Sequence, residues 1–449
     1  MSCEQLRDSL VRYSEGLYQQ NLSTQGRLTS SVGLALQAEG CNAPVGSRCR
    51  ISTETGELIE AQVIGFKHGR TLLMPAGPVR GLCPKARVSL VANGLRFSAG
   101  NGLLGRVIDA NGIPIDGKGP LVGCYQTELS SEPVNPLSRA PVNEAFDVGV
   151  RSINGLLTLG RGQRVGLFAG SGVGKSALLG MMSKYSEADV TVLALVGERG
   201  REVNDFIRET LGVEGMKRCV VVAVPADQAP LLRLQGAMLA TAIAEEFRAA
   251  NKQVLLMVDS LTRFAQAQRE VGLAIGEPPT SKGYPPSVFS LLPQLVERAG
   301  GISGGGSITA IYTVLAEGDD QNDPIVDAAR AVLDGHIVLS RTLSDAAHYP
   351  AIDIGASVSR TKNAVTPENQ QQMVSQAMRY SAIYQQNADM IKVGMYQQGS
   401  DDQLDTAVQI WPNLQRYLQQ ELGEKVSLDQ AREQLSIALQ LNAESGSES

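Results

Sequence analysis

The chain has 449 residues, 43% of them hydrophobic, which is enough for about two or three domains with a large buried core. A net charge of −6 and only 4% aromatic residues argue against a dedicated nucleic-acid binder, which would carry a basic face or stacking platforms. Cys3, Cys41, Cys49, Cys83, Cys124 and Cys219 form no CxxC pairs, so neither a zinc site nor a disulfide framework is indicated and a reduced, cytoplasmic compartment fits; no apolar run approaches the roughly 18 residues a membrane span needs.

In chain order, residues 3–19 set Leu6, Leu10, Tyr13 and Leu17 at alternating four- and three-residue spacing, the narrow apolar stripe of a short helix. That stripe buries itself either on the chain's own next domain or on a partner protein. From 25 to 98 short alternating segments (48–53, 57–66, 70–74 and 87–91) separated by Gly and Pro read as a small β-barrel. Residues 99–150, rich in Gly and Pro, read as an irregular linking region. Between 150 and 350, apolar runs at 165–168, 190–196, 220–224, 254–258, 308–314 and 337–339 alternate with helical patterns. Such alternation predicts an α/β core, a parallel sheet covered by helices. From 364 onward the chain reads as helices, ending in the polar tail 443–449. The expected organisation is a partner-binding helix (1–24), a barrel (25–98), a P-loop core of the RecA-like kind (99–363) and a helical C-terminal domain (364–449).

The run Ala169-Gly170-Ser171-Gly172-Val173-Gly174-Lys175-Ser176 sits between a predicted strand and a predicted helix, the context of a phosphate-binding loop. Glycines let backbone N–H groups turn toward phosphate oxygens, and the helix N-terminus adds about half a positive charge. Lys175 is placed to reach the terminal phosphates of ATP and Ser176 to ligate Mg2+. The strict pattern begins with Gly, and the small Ala169 takes that place where the strand ends. Asp259 closes the apolar run 254–258; by itself it reads as a helix N-cap before Ser260, and the phosphate loop upstream tips it toward the magnesium hydration shell. Glu198 follows the run 190–196, at the carboxyl end of a strand where ligands of parallel sheets bind, and is the candidate for activating water.

The blocks AGSGVGKS (169–176), GERGREV (197–203), VDSLTRFAQAQREV (258–271), GEPPTSKGYPPSVFSLLPQLVERAG (276–300), EGDDQNDP (317–324), DGHIVLSR (334–341) and HYPAIDIGASVSR (348–360) resemble the export ATPases of flagellar and injectisome type III secretion systems. Those enzymes are similar to the catalytic subunit of rotary ATP synthases. The resemblance spans roughly residues 100–420. It implies that Ala169 to Ser176 cradle the phosphates, that Ser176 and Asp259 serve Mg2+, and that Glu198 activates water with Arg199 and Glu202 in support. It further implies that Tyr349 stacks on adenine and that Arg360 is an arginine finger for the neighbouring subunit's nucleotide, in a homohexamer whose single chain supplies both halves of each site. Thr361-Lys362-Asn363 replaces the apolar pair and proline usual in the family, a departure that bears on the path into the C-terminal domain rather than on Arg360.

The stretch 394–401, with Leu404, Asp405, Ala407, Trp411 and Pro412, and the segment 179–182 look more like the flagellar branch than the injectisome branch. The resemblance then implies an ATPase that docks and releases chaperone-bound export substrates at a membrane export gate. It also implies a central stalk protein entering the ring, a regulatory stator protein on residues 3–19, and a place at the inner face of the bacterial inner membrane held through partners. Competing classes are an injectisome ATPase, a noncatalytic ring subunit, which Glu198 argues against, a rotary synthase subunit, and an RNA translocase. The last would need aromatic and basic residues in its barrel, where Phe66 and Phe97 are nearly the only aromatic side chains.

Overall fold

The computed structural model describes residues 25–92, 94–129, 134–315 and 323–440. The expected helix at 3–19, the tail 443–449 and most of the block 317–324 lie outside these residues. The chain divides into two compact units, one holding the residues up to Arg96 with two short segments, Ala229–Leu231 and Val271–Glu277, and the other holding the rest.

The first unit is built from β1 (Gln25–Val32), β2 (Ala35–Glu39), β3 (Arg48–Ser52), β4 (Leu58–Lys67), β5 (Arg70–Pro75) and β6 (Arg87–Ala92). They close into a barrel in the order β1-β2-β5-β4-β3-β6. Alternation explains the closure: inward residues such as Leu28, Leu36, Ile51, Val63, Leu73 and Val88 fill one small core while their neighbours face solvent. A register shift between Val63 and Gly65 bends the long strand β4 around that core. Cys41 and Cys49 are free thiols inside it, their Sγ atoms 4.0 Å apart.

In the second unit the main sheet contains β7 (Arg106–Ile108), β8 (Arg164–Ala169), β9 (Val190–Val196), β10 (Cys219–Val224), β11 (Gln253–Asp259), β12 (Ser307–Leu315), β13 (Gly335–Leu339) and β14 (Ile352–Ser359). Their order across the sheet is β14-β13-β8-β12-β11-β9-β10-β7. All these pairings are parallel except that of β14, which runs antiparallel to β13. Every residue of β9 and β10 is buried, which is why these strands appear as unbroken apolar runs. Helices α1 (Arg151–Leu156), α2 (Lys175–Tyr185), α3 (Pro230–Ala249), α4 (Leu261–Ala274), α5 (Pro286–Val296) and α6 (Pro324–Val332) belong to this region, followed by α7 (Glu368–Lys392), α8 (Asp402–Leu418) and α9 (Leu428–Gln440). Val374 and Ala377 of α7, Ile410 and Leu414 of α8 and Leu435 of α9 join one apolar cluster with Ile153 and Leu156 of α1. The Asp401 carboxylate caps α8 by accepting from the amides of Gln403 and Leu404.

The stretch expected to be an irregular linker contributes β7 to the sheet edge, a correction to the sequence reading. Three residues are too few to display a period, and the strand is anchored by charge. Asp116 accepts from Arg106 Nε (2.7 Å) and Nη2 (3.0 Å) and from the amides of Val107 and Lys118. The bond from Arg106, helped by those amides, holds the Asp116 carboxyl well below the usual carboxylate range. Asp116→Ala is expected to destabilise the chain by about 3 kcal/mol, since it strands a largely buried guanidinium. A depressed carboxylate pKa gives stability that is complete above the unfolded value near ~3.9 and fades as pH falls below it. Denaturant midpoints of the variant and parent should therefore differ at pH ~7 and converge in acid.

Past β14 the departure from the family pattern takes shape as the short helix Lys362–Val365, after which Pro367 caps α7. Gln371 Nε2 closes that turn by donating to the carbonyls of Asn363 and Thr366, each at 2.9 Å.

Candidate functional site

The parallel strands bring their carboxyl ends to one edge of the sheet, and the loop 170–174 leaves that edge from β8 to enter α2. Gly172 (φ 78°) and Gly174 (φ 91°) take left-handed conformations, which a residue with a Cβ would adopt only under strain. They wind the loop tightly enough for α2 to begin at Lys175 with its free amides facing the turn. Ser176 stands exposed in the first turn, while Ala169, Gly170 and Val173 are buried beneath the loop and Ser171 is open to solvent.

Lys175 Nζ lies 3.1 Å from Glu198 Oε1 and 2.5 Å from Asp259 Oδ1. These residues come from three separate places in the chain: the start of α2, the residue pair following β9, and the last position of β11. Strand order explains the meeting, because β9 and β11 are neighbours and β12 alone separates β11 from β8. Thr313 of β12 occupies that intervening position and donates from Oγ1 to Asp259 Oδ1 at 2.6 Å. Burial alone disfavours the Lys175 ammonium, but the charges of Asp259 and Glu198 outweigh it, so its pKa moves up. Burial pushes the Asp259 carboxyl up, Glu198 adds to the push, and Lys175 and Thr313 oppose it. The arrangement is a lysine that stays charged beside two closely spaced carboxylates, at a loop shaped for anions.

Tyr349 also reaches the loop. Its ring carbons Cδ1 and Cε1 would stand 3.5 Å from a Cβ built on Gly174, and its hydroxyl is 3.0 Å from Ser344 Oγ. Nearly half of the residue remains exposed beside the phosphate loop. The Tyr349–Pro350 and Asp259–Ser260 peptides are both cis.

Three expected site residues lie elsewhere. Arg199 and Glu202 are exposed and face each other at 3.8 Å around the start of the short helix Gly200–Asp205, without joining Lys175. Arg360 follows the antiparallel β14, whose Ser359 pairs with Gly335 at the beginning of β13. Its amide donates to the Asp334 carbonyl, and the Asp334 amide in turn donates to Arg164 at the start of β8. Arg360 thus sits at the amino edge of the sheet, about 17 Å of strand away from its own phosphate loop. Thr313 was not anticipated from the sequence; its one signal is a hydroxyl in a buried strand, which needs a partner, and Ser307, Thr309 and Tyr312 of the same strand share that signal.

Residues 149–359 match the nucleotide-binding domain of the ATP synthase alpha/beta family, and residues 366–436 match the C-terminal domain of the type III secretion ATPase EscN. The flagellum-specific ATP synthase of Pseudomonas aeruginosa is 52% identical, over 96% of this chain and 98% of its own length. That of Salmonella typhimurium is 53% identical, over 92% and 93%. Among solved structures, the assembled ATPase EscN of the enteropathogenic E. coli type III secretion system superimposes with a TM-score of 0.88 at 41% identity, covering 92% of this chain and all of that one. EscN in complex with its central stalk EscO gives a TM-score of 0.85 at 40% identity. With such identity running the length of both chains, and with an ATP synthase nucleotide-binding core beneath it, the chain is an ATPase and belongs to the flagellum-specific ATP synthases.

Proposed function

We propose that this chain hydrolyses ATP for flagellar type III protein export, working as a homohexameric ring in which each site is shared by two copies. The observation that carries the reading is the separation within one chain: Lys175 is held between Glu198 and Asp259 at the carboxyl edge of the sheet, while Arg360 stands at the amino edge. One copy then supplies the loop and the acid pair, and its neighbour supplies the guanidinium.

The residues at the loop fit a magnesium nucleotide. Ser176 and Asp259 offer hard oxygen donors, and no group of three or more His, Cys, Asp or Glu among the described residues forms a protein-only cage. That donor set suits a cation held mostly by phosphate oxygens and water. When bound, Mg2+ neutralises charge on the transferring phosphoryl group. Lys175 exchanges its carboxylate partners for phosphate oxygens. Thr313 keeps Asp259 oriented, and Glu198 accepts the proton of the attacking water. Tyr349, half-exposed beside the loop, is placed to stack on adenine. Arg199 and Glu202 flank the site from the surface and steady the segment that carries Glu198.

The flagellar reading is supported by identities of 52% and 53% to flagellum-specific enzymes against 41% to the injectisome ATPase EscN. The remaining roles belong to the same proposal: chaperone-bound substrates docked and released at an export gate, a central stalk within the ring, a stator protein on residues 3–19, and attachment to the inner face of the inner membrane through those partners. No helix among the described residues is long and apolar enough to cross a membrane. A dilution series tests the shared site. Phosphate release per chain is expected to fall steeply once the protein is diluted below its assembly concentration; a specific activity independent of concentration in a demonstrably monomeric sample would overturn it.

A further inference from the structure

Arg360 does not project freely from the amino edge. Its Nη2 donates to the backbone carbonyl of Arg330 at 3.2 Å, and its amide donates to that of Asp334 at 3.0 Å, so two carbonyls of the segment from α6 to β13 hold it at both ends. Both residues also grip β8. The Asp334 carboxylate takes Arg164 in a fork, Oδ2 accepting from Nε at 2.9 Å and Oδ1 from Nη2 at 3.0 Å, and Oδ2 accepts as well from the Arg164 amide at 3.1 Å. Four residues further along β8, the ring centroid of Phe168, the residue before Ala169, lies 5.3 Å from the Arg330 guanidinium. Phe168 is fully buried, with the His336 ring edge-on at 5.5 Å and Gly166 so close that a Cβ there would meet the Phe168 ring at 2.4 Å. The strand that ends in the phosphate loop is thereby fastened near its start and near its end to the two residues that hold Arg360.

We propose that Arg330 and Asp334 are positioning residues for Arg360, and that through Phe168 and Arg164 they tie it to the strand carrying this chain's own phosphate loop, so that nucleotide held by one copy sets turnover at its neighbour's site. The proposal rests on Arg360 acting as a finger. The physical reason is the stiffness of the linkage: a bidentate ion pair and a cation–π contact on a fully buried ring both depend on geometry and weaken on displacement. A packed strand moves as a body rather than stretching. A shift of β8 on phosphate binding therefore carries Arg330 and Asp334 with it, and the guanidinium of Arg360 follows.

ATP titrations on assembled, full-length rings test this. Arg330→Met is expected to lower kcat by about tenfold with KM for ATP unchanged and with cooperativity between sites lost. Arg330→Lys, which keeps a cation over the Phe168 ring, is expected to recover most of both. A residue that merely supported the fold would lower the amount of assembled ring instead, leaving cooperativity intact in what remains. If Arg330→Met fails to assemble, Phe168→Leu severs the same contact from the other side and is read in the same way. Unchanged kcat and cooperativity in the variant that assembles, alongside loss of turnover in Arg360→Ala, would refute the tether and leave the finger standing. Full turnover in Arg360→Ala would remove both.

Discussion

Rings made of Arg360→Ala chains are expected to bind ATP normally and to turn it over about 10³ to 10⁵ times more slowly than the parent. Binding survives because Arg360 lies at the amino edge of its own sheet, on the far side from Gly172, Lys175 and Tyr349. Turnover collapses because a planar guanidinium matches the charge spread over the transferring phosphoryl oxygens. Arg360→Lys should recover little, since an ammonium is a point charge without the fork. The decisive measurement mixes two inactive proteins, Arg360→Ala and Lys175→Ala. At an interface where the loop comes from the first and the finger from the second, both groups are intact, so phosphate release should reappear in the mixture. A mixture as inert as its components would exclude a site divided between copies.

Glu198→Gln is the second large effect, expected to reduce steady-state phosphate release by about 10² to 10⁴ while leaving the nucleotide affinity equal or improved. The substitution preserves shape but removes the proton acceptor. It also removes one of the two negative charges facing Lys175, which leaves the ammonium to Asp259 and to the incoming phosphates. Equilibrium titration with a fluorescent ATP analogue separates affinity from turnover. Phosphate release that persisted at the parental rate would sink the assignment of Glu198 and move the search to another group at the same sheet edge.

The sequence made much of this legible, for reasons that differ by element. The barrel announced itself through alternation, because each strand has one face on a small core and one in water. The central strands announced themselves through the opposite signature, unbroken apolar runs, because helices cover both faces of the sheet. What stayed hidden is equally physical. The edge strand Arg106–Ile108 is three residues long and depends on an ion pair with Asp116, a contact that no local pattern encodes. Thr313 is one of four hydroxyl-bearing residues in a buried strand, and its value comes only from β12 lying between β8 and β11. Arg199 and Glu202 differ again: the family resemblance gave them a supporting role beside Glu198, and the turn into the helix at Gly200 leaves both side chains in solvent, facing each other. Tyr349 reached the phosphate loop in the structure, although its sequence position, far from residue 174, offered no geometric hint.

The antiparallel course of Ile352–Ser359 has a consequence for how such a ring tolerates change. The strand enters just after Tyr349, with Ile352 against Leu339, and leaves just before Arg360, with Ser359 against Gly335, so it advances only about 13 Å along β13 and its surplus residues bulge opposite the stretch from His336 to Val338. It is therefore a ruler whose two ends would touch two different nucleotides. Ser357 and Ser359 face inward on the Arg360 side of that bulge, where one added residue would turn them outward and two would carry Arg360 roughly 7 Å too far. Substitutions along this strand are a matter of packing, whereas a change of length between the bulge and Arg360 would put each copy out of step with the next around the whole circle.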